Sequence, residues 1–226
     1  MYTKANANIM KNWVRDFFDG PEHSGMKSDN KRYDAPPVEG VTLKEGQAER
    51  RNTNQPLAAT IRQTIHGKKQ AIVELTGKAP TPAEMGAMIK KHQLRGGNCA
   101  EMTWLLCFAF KSRSLNIWIA IIDDPGDHQF CILMKNKPGF GSIKTMDYSG
   151  DDQWIIDPWA NIVCKPAEFF TAFGDKMKKW TDRGKRIGVP NSTRTGYVWT
   201  PGTDAKYFKD NTESGLLYRK GWDFPT

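Results

Sequence analysis

Arg95-Gly96-Gly97-Asn98-Cys99-Ala100-Glu101-Met102 is the pivot of this chain: a glycine pair, a cysteine, and then an apolar run of helical character from Met102 to Phe110. Helical patterns precede it and strand patterns follow it, so its reading sets the fold class. A thiol in the first turn of a helix lies where the positive end of the helix dipole favours the thiolate, its nucleophilic form. The stretch is therefore a place for a reactive sulfur. It needs a base and an orienting group from elsewhere in the chain.

Upstream, Thr81-Pro82-Ala83-Glu84 reads as an N-cap, a proline at the first helical position and a following acidic residue. This predicts a helix to about Lys91, with His92 and Gln93 in the turn that leads to Cys99. Before it, Leu57, Ile61, Ile65, Ile72 and Leu75 recur at helix-like intervals over Pro56 to Leu75, with Gly67 as a weak spot. Residues 1–55 are polar and rich in charge, Gly and Pro, and only Ile9 to Phe18 reads as a short amphipathic helix. The expected division is a polar N-terminal extension, 1–55, and a folded domain, 56–226.

Downstream the period changes. Asn116 to Ile122 is a continuous β-branched and aromatic run, stopped by the turn signal Asp123-Asp124-Pro125-Gly126. His128 to Met134 is a second strand, closed by Lys135-Asn136-Lys137-Pro138-Gly139, and Gln153 to Asp157 a third, stopped by Pro158. A helix is expected from Pro166 to Trp180. The last forty residues are turn-rich with scattered aromatics (Tyr197, Trp199, Tyr207, Phe208, Tyr218, Trp222, Phe224) and carry no assignable pattern. Helices first and strands afterwards predict an α+β domain, a helical layer against a small antiparallel sheet.

Composition bounds the function. A hydrophobic content of 38% is enough for a core in a chain of 226 residues, which argues against global disorder. The net charge of +8 favours acidic partners. The basic residues are scattered and no aromatic–basic nucleic-acid signature accompanies them, so nucleic acid is not the expected partner. Cys99, Cys107, Cys131 and Cys164 lie far apart with no Cys-x-x-Cys pair, which excludes zinc-site spacing and a disulfide framework. No metal or other cofactor is implied. The N-terminal residues lack an apolar signal-peptide core. The expected location is a reducing cytosol, or a target cell reached by a route that reads no cleaved signal.

A thiol hydrolase needs an imidazole to take the proton from sulfur, an acceptor that fixes the imidazole tautomer, and a donor for the oxyanion. Of the four histidines, His128 opens a strand directly after a turn, where it can face a helix terminus; His92 is its rival, His23 lies in the polar leader and His66 on a lysine-rich face. Asp157 ends an apolar strand before Pro158, and a carboxylate there needs a cationic or hydrogen-bonding partner. Trp159 could cover an imidazole–carboxylate pair from water. The Cys99 backbone N–H and the Gln93 amide are the oxyanion candidates, and Gly96 and Gly97 would let backbone approach a substrate. Each residue has a plainer reading beside this one. Cys99 can be a buried helix cysteine like Cys107, His128 a strand-edge histidine, Asp157 an Asp-Pro turn initiator and Gln93 a solvated helix end. Glu101 is read as a favourable first-turn charge outside the chemistry.

Cysteine at a helix start, histidine opening a strand and Asp or Asn on the next strand is the order in papain-like cysteine peptidases, and the chain resembles that group. Gln93 six residues before the cysteine and Trp159 two after the aspartate are also features of papain itself. The wording Gly97-Asn98-Cys99-Ala100-Glu101-Met102, Gly126-Asp127-His128-Gln129-Phe130 and Ile156-Asp157-Pro158-Trp159-Ala160 is similar to another branch. That branch is the papain-like domains of bacterial toxins and delivered effectors, including the dermonecrotic-toxin type of glutamine deamidase. The resemblance covers about residues 90–165. The chain departs from papain in lacking its neighbouring disulfide cysteine and in placing Ala100, not tryptophan, after the nucleophile.

The resemblance implies a papain-like catalytic domain over 56–226 and a Cys99-His128-Asp157 triad acting on a side-chain amide of a target protein. It further implies substrate contacts from Gly97, Asn98 and Trp159. It implies, as partners, a target protein in a host or rival cell and a cognate immunity protein or chaperone. Proteolysis and transglutamination would use the same triad, so the triad does not choose among the three. The alternative from another class is a non-catalytic protein that uses its basic surface on an acidic partner.

Overall fold

The computed structural model of the chain describes residues 3–19, 28, 30–111, 117–122, 128–134, 152–191, 196–204 and 217–218. The turns at 123–127 and 135–139 lie outside these residues, as do His23, Tyr207, Phe208, Trp222 and Phe224. The architecture is α+β: five helices and two antiparallel sheets among the described residues, neither of them closed into a barrel.

The larger sheet has the order β5-β4-β3-β2-β8, from β2 (Ile117–Ile122), β3 (His128–Leu133), β4 (Trp154–Asp157), β5 (Ile162–Cys164) and β8 (Leu217–Tyr218). β2 and β3 pair without interruption from Ile117↔Leu133 to Ile122↔His128, and β3 pairs with β4 through Cys131↔Ile156 and Leu133↔Trp154. Successive side chains therefore alternate strictly between the two faces of β3. Helix α4 (Cys99–Lys111) lies on the face that carries Cys131, whose thiol reaches the Thr103 carbonyl oxygen at 4.0 Å. Helix α5 (Phe169–Asp182) lies on the other face, with Phe169 4.3 Å from Phe130 between ring centroids.

Helix α3 (Pro82–Lys91) begins with a full capping box: the Thr81 hydroxyl accepts from the Glu84 N–H while the Glu84 carboxylate accepts from the Thr81 N–H. α3 packs tightly on α4 through Gly86. A methyl group there would clash with the Trp104 carbonyl and come within 2.7 Å of Phe108 Cβ. Because the obstacle is backbone, Gly86→Ala is expected to separate the two helices and cost about 1–3 kcal/mol, measurable as a lowered urea midpoint with an unchanged m-value.

The N-terminal region differs from the expected extension. Helix α1 (Lys4–Asp19) buries Ala7, Met10, Val14, Phe17 and Phe18 in the same core as α4 and the larger sheet. Its apolar residues recur at helical intervals, so the segment has a face to bury and buries it. β1 (Lys31–Tyr33) pairs with β6 (Lys185–Pro190), which pairs with β7 (Tyr197–Pro201), forming a second sheet that joins the leader to the C-terminal region. Helix α2 (Gln47–Thr76) spans the expected boundary at residue 55 and contains Pro56. Of the apolar positions read in it, Ile65 is buried while Leu57 and Leu75 are exposed, so much of its length, about 45 Å at 1.5 Å per residue, faces solvent. No helix among the described residues is long and apolar enough to cross a membrane.

Candidate active site

The imidazole of His128 and the carboxylate of Asp157 meet at the end of the larger sheet. His128 Nε2 is 2.7 Å from Asp157 Oδ2, and both side chains are completely buried. The register brings them together: Phe130 lies one step beyond the Cys131↔Ile156 pair and so faces Asp157, which makes His128 its diagonal neighbour on one face. The second carboxylate oxygen accepts from the Ala160 N–H at 2.8 Å, closing a tight turn after β4. Asp157 is thus held on both oxygens, and with Nε2 as donor the tautomer leaves His128 Nδ1 as the basic nitrogen. Nδ1 is buried with no hydrogen-bond partner among the described residues.

An aromatic wall encloses the imidazole. Trp159 lies 4.9 Å away between ring centroids and Phe173 5.1 Å. Trp159 is itself clamped. Its indole N–H donates to Asn30 Oδ1 at 3.1 Å, and its carbonyl accepts from the Lys31 ammonium at 2.8 Å. That ammonium also lies over the faces of Trp159 and Trp180, 3.8 and 4.4 Å from their centroids, which stabilises a buried cation through the ring quadrupoles. The sequence gives little sign of Ser28, Asn30 and Lys31 as parts of the site. They belong to a polar leader with no strand periodicity; Trp159, the partner of Asn30 and Lys31, lies about 130 residues away, and Asn98, the partner of Ser28, lies 70 residues away.

Cys99 is the first residue of α4. Thr103 Oγ1 donates to the Gln129 carbonyl at 3.3 Å and the Cys107 thiol abuts that of Cys131, so helix and strand run in the same direction. Four helical residues and two strand residues advance by similar lengths, about 6 Å. Cys99, one turn before Thr103, therefore comes level with the start of β3. Strict alternation sends the His128 side chain to the face opposite α4, so sulfur and imidazole approach the end of the sheet from its two sides. A hydrogen-bonded chain links those sides: Trp159 to Asn30, Asn30 to Ser28, and Ser28 Oγ to Asn98 Oδ1 at 2.7 Å. One hydroxyl proton cannot serve two amide oxygens, and an Asn98 amide turned to donate to Ser28 satisfies both contacts.

The remaining residues read from the sequence have other work. Gly96 abuts the α2 backbone, where a Cβ would fall 2.9 Å from Ala58 Cα, and a Cβ on Gly97 would fall 2.6 Å from Glu101 Cβ. Both glycines serve helix packing, and neither is open to a substrate as the sequence reading has it. Asn98 is buried, its N–H donating to Glu101 Oε2 at 2.8 Å. Gln93 is exposed, its amide donating to the Lys90 carbonyl and accepting from Arg95, so that it closes the end of α3. In this arrangement the Cys99 N–H, at a helix start, is the better oxyanion donor of the two candidates. His66 is not on an idle face: its Nε2 lies 2.7 Å from the buried Glu101 carboxylate.

All four cysteines are buried: Cys107 and Cys131 have no exposed surface, and Cys164 and Cys99 keep 5% and 7% as residues. Burial, then the adjacent Cys107 thiol, pushes Cys131 well above the ordinary thiol range, and burial pushes Cys164 up to about 12. Neither is a nucleophile at neutral pH. Among the described residues no group of three His, Cys, Asp or Glu side chains converges as a metal site. Comparison with protein-family models, curated proteins and solved structures finds no match to the chain.

Proposed function

We propose that the chain is a papain-like thiol amidohydrolase that deamidates a glutamine or asparagine of a target protein. One observation carries the reading: a sealed His128–Asp157 pair with an unpartnered Nδ1 at the sheet end, level with the helix start that bears Cys99. Cys99 Sγ attacks the carboxamide carbon as His128 Nδ1 takes the thiol proton. The Cys99 N–H, at the positive end of α4, stabilises the oxyanion. His128 returns the proton to the departing ammonia, Asp157 stabilises the imidazolium, and water then hydrolyses the thioester with His128 again as base. The choice of a side-chain amide, and of a delivered bacterial toxin or effector as the setting, rests on the resemblance of residues 90–165. With a backbone amide the same groups would perform proteolysis, and with an amine in place of water, transglutamination.

The placement of His128 on the face of the sheet opposite α4 favours a second reading, a non-catalytic protein with a basic surface for an acidic partner. Iodoacetamide at neutral pH separates the two. A reactive Cys99 is expected to be carboxymethylated well before Cys107, Cys131 and Cys164, as read by peptide mass mapping. Uniformly slow labelling of all four would favour the binding protein. Intact-mass analysis of target proteins is expected to give the gain of an amide-to-acid conversion, abolished in Cys99→Ala. An activity unchanged in that variant would sink the enzymatic reading.

A further inference from the structure

A single oxygen, Asn30 Oδ1, is shared by both sides of the candidate site. On the imidazole side it accepts from the Trp159 indole N–H at 3.1 Å, and the Trp159 ring lies 4.9 Å from His128 between centroids. On the thiol side it accepts from the Ser28 hydroxyl, whose oxygen lies 2.7 Å from the side-chain amide of Asn98, the residue before Cys99. Ser28, Asn30, Asn98 and Trp159 are all buried, at 8% exposure or less. A donor that lost its acceptor here would remain unpaired.

Both ends of this chain of bonds are fixed. The Asn98 carbonyl accepts from the Met102 N–H at 3.1 Å, which opens α4, and its N–H donates to Glu101. The Asn30 carbonyl accepts from the Gly188 N–H at 2.9 Å, extending the pairing of β1 with β6. The second sheet is thus a rigid mount for the Asn30 side chain. Cys99 and His128 approach the end of the larger sheet from its two sides, and the bonds through Asn30 run from one side to the other. We propose that Asn30 is a positioning residue of the thiol site: it holds Trp159 against His128 and, through Ser28, holds the Asn98 that precedes Cys99. This role rests on the amidohydrolase reading, and it gives the N-terminal segment a part in the chemistry without a part in bond making.

The pH dependence of Cys99 carboxymethylation by iodoacetamide, followed by peptide mass mapping, tests it. In the unaltered chain the rate is expected to inflect below about pH 7.5, as for a thiol paired with an imidazole. Asn30→Leu keeps the bulk and removes the acceptor. Its inflection is expected near ~8.5, the value of an unassisted thiol, with the rate at about pH 6 falling ~10-fold. Asn30→Asp keeps an acceptor oxygen and should retain the low inflection. Cys107 and Cys131 act as the fold control, since they stay unlabelled while the core is closed. If Asn30→Leu exposes them, Ser28→Ala, which cuts only the tie to Asn98, is expected to raise the inflection by itself. A purely structural cluster would lower the denaturation midpoint and leave the inflection in place. A low inflection that persists in folded Asn30→Leu, or in Ser28→Ala where Asn30→Leu unfolds, would overturn the positioning role and spare the amidohydrolase reading. An inflection already near ~8.5 in the unaltered chain would sink that reading and the role with it.

Discussion

Asp157→Ala is expected to destabilise the fold by about 3–5 kcal/mol, the cost of removing one member of a buried hydrogen-bonded pair. The carboxylate is completely buried and engaged on both oxygens, by His128 Nε2 and the Ala160 N–H. Truncation leaves two buried donors unpaired and opens a cavity beneath Trp159. Denaturant unfolding checks the magnitude, and a loss under 1 kcal/mol would mean that the pair is not a structural keystone. Asp157→Asn separates structure from chemistry. The amide preserves shape and can accept from the Ala160 N–H, but an NH2 toward His128 forces Nε2 to become the acceptor and moves the ring proton to Nδ1. If His128 is the base for Cys99, that reversal is expected to lower turnover by ~10⁴, the scale known for the corresponding change in a serine-protease triad. The same substitution in a purely structural pair would alter stability alone.

The His–Asp pairing was legible because two strand patterns and their stops were strong. β-branched runs ended by Pro-Gly and Asp-Pro signals locate β2, β3 and β4 closely, and antiparallel neighbours at those lengths bring a residue that opens one strand near a residue that ends the next. The Thr81 capping box was equally readable, because its chemistry is local. What could not be read was long-range compensation. Lys31-Arg32-Tyr33 has no apolar alternation, and Lys31 is tolerated inside because the Trp159 carbonyl accepts from its ammonium and the rings of Trp159 and Trp180, far along the chain, receive its charge. α2 misled in the opposite direction. Leu57 and Leu75 keep helical spacing but are exposed, since periodicity reports the helix and not what covers it. Gly96 and Gly97 suggested room for a substrate, whereas their missing side chains are occupied by α2 and Glu101. A glycine pair near a reactive residue has the same appearance in both cases.

Glu101 should dominate the acid limb of the stability profile. It is 1% exposed, two residues after Cys99, and gathers the Asn98 N–H at 2.8 Å, His66 Nε2 at 2.7 Å and Arg62 Nε at 3.9 Å. Burial by itself raises a carboxyl pKa. Here the hydrogen bond from His66, the charges of Arg62 and His66, and the Asn98 N–H together outweigh it and hold Glu101 below its ordinary value of 4.5. A carboxyl depressed in the folded state binds its proton more readily when unfolded. Its contribution is therefore complete above about pH 4.5 and is lost as pH falls through the lower folded value. Glu101→Ala removes the helix cap and strands a buried N–H, for about 2–4 kcal/mol at neutral pH. Glu101→Gln keeps the shape and should lose less. Glu101→Gln should converge on the unaltered protein as the medium is acidified below pH 4.5, because protonation, like that substitution, removes the charge and keeps the side chain's bulk. Glu101→Ala keeps the deficit of its cavity at every pH, so the Glu101→Gln gap is the one that reports charge. Chemical unfolding at several pH values reads this directly. A Glu101→Gln gap that stays constant into the acid range would show that the carboxylate is not ionised in the fold, and that α4 and Cys99 are held at their N-terminal end by packing on Phe18 and α2 rather than by charge.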